Sequence, residues 1–99
     1  MPKHPLDTIG ENDHDLMDVI CRGRDLAFAP GALSAKHKLL IAMALDASHG
    51  ATSGVRSLAQ QAMQQGATKA EIMDALRVVS YICGVGSMYT AGNALQDLW

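Results

Sequence analysis

The stretch QQGATKAEIMDAL (Gln64–Leu76) holds the end of one helix and the start of the next in a single run. Gly66 stands where a helix closes on a left-handed residue, and Thr68 with Glu71 has the spacing of a capping box. Beyond the box, Ile72, Ala75, Leu76, Val79 and Cys83 recur three or four residues apart, which predicts a helix with one apolar face that runs to the breakers Gly84 and Gly86. Upstream, Val55, Leu58, Ala59, Ala62 and Met63 make a stripe of the same period, with Thr52 or Ser53 as its N-cap.

Working outward, Ser34 caps a helix AKHKLLIAMALDAS that is apolar nearly all round from Leu39 to Ala47, as suits the centre of a bundle or an oligomer interface. Before it, Leu16, Val19, Ile20, Gly23 and Leu26 mark one face of another helix. Asp13, Asp15 and Asp18 lie near its positive end, and Pro30 and Gly31 stop it. A last helix is predicted in SMYTAGNALQDLW. Residues 1–12, with Pro2, Pro5 and Gly10, show no periodicity and read as an extended arm, so the domain proper is expected over 13–99. Sustained two-residue alternation and Asn-Gly or Asp-Gly hairpins are missing. The prediction is all-α: a compact bundle of about five or six helices.

The 99 residues are 48% hydrophobic and 18% charged, which fits one folded domain near the size where a lone core is only modestly stabilising. A formal net charge of -2 supplies no field for nucleic acid or acidic membranes. The helix that closes at Gly66 and the one that starts after Thr68 mimic a helix-turn-helix, but the second, as the reading helix, would offer one arginine, Arg77, on a mostly apolar surface. The run Leu39–Leu45 is too short to span a bilayer, and MPKHPLDTIG lacks the apolar core of a secretory signal, so a cytoplasmic location is expected. His14 and Asp18 share a helix face without a third ligand, and GVGS follows a helix rather than a strand. Neither a metal nor a cofactor is expected.

Chemistry-bearing residues are few. Cys21 and Cys83 form no Cys-x-x-Cys pair. Cys21 lies beside Val19 and Ile20, which argues for burial. Cys83 ends a helix whose dipole opposes a thiolate, so a packed free thiol is expected there, with a peroxidatic role as the alternative. His49, Thr52, Ser53 and Arg56 gather at a helix start that is a candidate site for an anion or small carboxylate; the alternative is two caps, a solvated arginine and a loop histidine. Tyr89 is a candidate to point its hydroxyl at a ligand, or else packs as an amphipathic side chain.

The run from LSAKHKLLIAMALDAS through QQGATKAEIMDALRVVSYICGVGS, about two-thirds of the chain, resembles the carboxymuconolactone decarboxylase superfamily, which includes the alkylhydroperoxidase D-like proteins. The resemblance implies a bundle of that type, assembled as a ring-like trimer or hexamer. It also implies, for redox members, a Cys-x-x-Cys at a helix start with a His and a Glu to relay protons. Anchored on QQGAT, these roles fall on Leu39 for the Glu, Ala51 and Gly54 for the thiols, and Leu58 for the His. None of the four ionises. The lactone decarboxylase branch matches at YICGV, but its polar positions fall on apolar residues here.

Three readings of function follow. The first is a homo-oligomeric scaffold or binder of a small, carboxylated molecule near His49, Ser53 and Arg56. The second is a non-redox lyase or isomerase with His49 as acid or base. The third is the antioxidant peroxidase that the family label suggests.

Overall fold

The computed structural model describes residues 4–99. Its elements are six helices: α1 (Pro5–Asn12), α2 (His14–Phe28), α3 (Ala35–Ser48), α4 (Thr52–Gln64), α5 (Lys69–Cys83) and α6 (Gly86–Leu95), with no strand among the described residues. No helix among them is long and apolar enough to cross a membrane. The residues divide into two compact units, one ending at Gly31 and the other spanning Ala32–Trp99.

The first unit departs from expectation at its start. Residues 5–12 are helical rather than extended; Pro2 lies outside the described residues. Pro5 begins the helix, where its fixed φ is pre-organised and its missing N–H costs nothing. His4 completes a capping box: its Nδ1 accepts from the Leu6 N–H at 3.1 Å, and the Asp7 carboxylate accepts from the His4 N–H at 3.2 Å. One short helix spans too few turns to print a period in the sequence. Asp13 caps α2 by accepting from the Leu16 N–H at 2.9 Å, and α2 stops ahead of Pro30. Met17, Ile20 and Cys21 are partly covered, so Cys21 is half-buried. Leu16, Val19 and Leu26 stand exposed.

The second unit has its core where the periodicities place it. Met43 and Ala47 of α3, Val55 and Ala59 of α4, Ile72, Leu76 and Val79 of α5, and Ala91, Ala94 and Leu95 of α6 form one buried cluster. Alanines at four of these positions let the helix axes approach closely, while Met43, Val55 and Ile72 fill the centre and each contributes about 1.5–3 kcal/mol by leaving water. The apolar α3 resolves into two faces: Leu39, Met43 and Ala47 turn inward, and Ile41 and Leu45 remain exposed.

The joints follow local rules. Ser34 accepts from the His37 N–H, capping α3. Gly66 closes α4 at φ +96°. Thr68 and Glu71 form the capping box of α5, and Lys36 Nζ reaches the Glu71 carboxylate at 2.8 Å, tying the start of α3 to the start of α5. At α4 the expectation fails, because the N-cap is Ala51 and makes no side-chain hydrogen bond. Thr52 and Ser53 are the first two helical residues. The turn after α3 is too tight for either to precede the helix: the Ala51 N–H already donates to the Asp46 carbonyl at 2.9 Å.

Candidate functional site at the start of α4

The turn between α3 and α4 returns the chain so sharply that the Asp46 side chain lies against the first turn of α4. A Cβ built on Gly54 would fall on Asp46 Oδ2 and within 2.9 Å of Asp46 Cγ. Position 54 is therefore glycine because a carboxylate occupies the space that any other side chain needs. The negative charge there also complements the positive end of the α4 dipole. Asp46 was not among the residues singled out from the sequence. The signal that could have drawn attention to this place is a glycine near the start of a helix.

Around this joint the predicted residues separate into distinct settings. His49 is exposed as the C-cap of α3, its backbone N–H donating to the carbonyls of Leu45 and Asp46 at 3.2 Å. Thr52 and Ser53 are exposed on the first turn of α4, and helical spacing puts both on the same face as Arg56. Arg56 is engaged: its Nη1 donates to Asp97 Oδ2 at 3.2 Å. Sequence reasoning missed Asp97, which sits just past α6 and follows no local pattern with Arg56. Tyr89 is exposed on α6.

The positions that the resemblance matches to a proton relay lie close together but pack as apolar groups. Leu39 is buried with Ala62 and Ala67, and Leu58 packs on the same cluster. Ala51 is half-buried. An apolar pair at these places holds α3 against α4 and moves no proton.

Cys83 is elsewhere and is not packed, contrary to expectation. It is exposed, because α5 ends there at Gly84 (φ +87°) and the chain turns away. Its thiol lines an open groove of about 450 Å³ between α3 and α5, walled by Leu40, Ile41, Leu45, Val78 and Ile82. Two of the polar groups in that groove are engaged within the chain. His37 Nδ1 lies 2.7 Å from the Ser34 hydroxyl, and Ser48 Oγ donates to the Leu45 carbonyl at 2.6 Å. Small-molecule pockets usually carry a few convergent polar groups, whereas the lining here is mostly apolar side chains. On α2, His14 and Asp18 are exposed, and no group of three metal-ligating side chains occurs among the described residues.

Comparison with known proteins matches residues 14–97 to the carboxymuconolactone decarboxylase family model. An uncharacterised protein of Methanocaldococcus jannaschii is 32% identical over 94 residues, 94% of this chain and 90% of that one. The apo crystal structure of a carboxymuconolactone decarboxylase family protein from Legionella pneumophila superposes with a TM-score of 0.83 at 28% identity, over 92% of this chain and 81% of that one.

Proposed function

This chain belongs to the carboxymuconolactone decarboxylase family, and on that footing we propose that it works without redox chemistry, as a homo-oligomer that holds a small molecule at the start of α4. The observation that carries the reading is the contact of Asp46 with Gly54. It closes to any side chain the place where the resemblance puts a thiol, and the chain has no Cys-x-x-Cys pair anywhere. Thr52, Ser53 and His49 face solvent beside that contact and supply hydrogen-bonding groups without a strong nucleophile.

The class of ligand follows from Arg56. Its partner Asp97 is largely exposed, and an exposed ion pair of this kind is worth at most about 1 kcal/mol. A carboxylate on the ligand can replace Asp97 at little cost and accept from the same guanidinium, with Ser53 one turn away. Asp46 limits the site to one such charge, because a second anion at the helix start would meet a carboxylate.

Native mass spectrometry of the gently purified protein tests both parts. The expected spectrum is a closed oligomer that retains a discrete small mass. The Asp97→Asn variant, which frees Arg56, is expected to bind a simple monocarboxylate probe such as butyrate several-fold more tightly than the parent. An oligomer with no retained mass and no butyrate binding in either form overturns the ligand reading, and a monomer overturns the assembly.

A further inference from the structure

A cleft of about 440 Å³ lies between α5 and α6 and shares no residue with the groove between α3 and α5. Buried Leu76, Ala91 and Leu95 lie beneath it, and Met73 and Met88 line it with flexible thioethers that adapt to an occupant. Its volume falls within the roughly 300–1,000 Å³ of small-molecule pockets. The residue that points to an occupant is Gly92. It sits inside α6, where glycine costs stability relative to alanine. The usual reasons for such a glycine are missing. Its φ is not positive, unlike that of Gly50, Gly66 and Gly84, and a Cβ built on it meets no atom within 4 Å. At Gly54 the fold itself forbids a side chain; at Gly92 the fold has room for one. What the missing side chain leaves open is the cleft, which Gly92 lines.

One end of the cleft carries a cation. Lys69 Nζ stands 5.1 Å from the centre of the Trp99 ring, and that ring lines the cleft together with Gln96. The carboxylates nearest to these residues in sequence are matched with other cations: Glu71 with Lys36, Asp74 with Arg77 and Asp97 with Arg56. Lys69 rests instead on an indole face, so a ligand carboxylate can accept from its ammonium without breaking an ion pair. We propose that this cleft binds a small monocarboxylate with an apolar tail, the tail along Met73, Leu76, Met88 and Gly92 and the carboxylate at Lys69. The site is additional to the one at the start of α4 and has no residue in common with it.

Trp99 is the chain's single tryptophan, so its fluorescence reports on the cleft directly. Titration with octanoate is expected to give a saturable change. Octanol, with the same tail and no charge, is expected to bind at least fivefold more weakly, and Lys69→Gln should bring octanoate down to the level of octanol. Gly92→Leu, which fills the cleft, should weaken octanoate at least tenfold. Gly92→Ala, a smaller intrusion, should weaken it at least threefold while melting above the parent, because alanine suits a helix better than glycine. A Trp99 signal that does not saturate up to millimolar octanoate overturns the proposal. So does octanol binding as tightly as octanoate. Octanoate affinity within twofold of the parent in whichever Gly92 variant keeps its helical circular dichroism also overturns it, and would place the ligand at a site that position 92 does not line.

Discussion

At the scale of single residues, Gly54 is the position where sequence and space are most tightly bound. A glycine-to-alanine change inside a helix ordinarily stabilises by about 1 kcal/mol. Here the added methyl meets the Asp46 carboxylate. Gly54→Ala is therefore expected to destabilise the fold by about 1–3 kcal/mol, the usual cost of overpacking. The double variant Asp46→Ala, Gly54→Ala should recover the loss. Chemical denaturation of the four forms in a mutant cycle measures the coupling, and additive effects of the two changes would contradict the contact. The sequence shows the glycine but not its reason, since nothing local relates position 54 to position 46. Arg56 is a similar case: its charge is visible in the chain, whereas Asp97 meets it only through the packing of α4 on α6.

At the scale of elements, the joint between α3 and α5 carries a pH dependence. The Lys36 ammonium first, and the Thr68 backbone N–H second, hold the Glu71 carboxyl below its ordinary value of 4.5. A carboxylate favoured in the folded chain contributes stability that is fully present above its unfolded pKa and is lost as pH falls through the lowered folded value. Glu71→Gln is thus expected to melt below the parent at pH 7, with the gap closing as the pH drops beneath about 4.5; thermal melts at both ends of that range check it. Helix boundaries were the most legible part of the chain. Ser34, Gly66, Thr68 with Glu71, and Gly84 act through near neighbours, so their spacing alone locates α3, the end of α4 and both ends of α5. Thr52 and Ser53 misled because the cap they resemble is overridden by the tight turn from Asp46. Pro5 misled because a proline that starts a helix looks, in sequence, like one that prevents it.

At the scale of the whole molecule, a 99-residue chain with much of its α5 surface uncovered should draw stability from association. The apparent melting temperature is expected to rise with protein concentration across the micromolar range, and a value independent of concentration would argue for a self-sufficient monomer. Family and helical class were legible because they depend on periodicity and on the turn at Gly66. The groove was not, because it takes two helices to make one and each shows only a second apolar face. The close approach of Asp46 to Gly54 also bears on length. Surface connections usually accept insertions, but a residue added between positions 48 and 52 would carry the carboxylate away from the glycine, so this turn is expected to keep its length in any variant that keeps the contact.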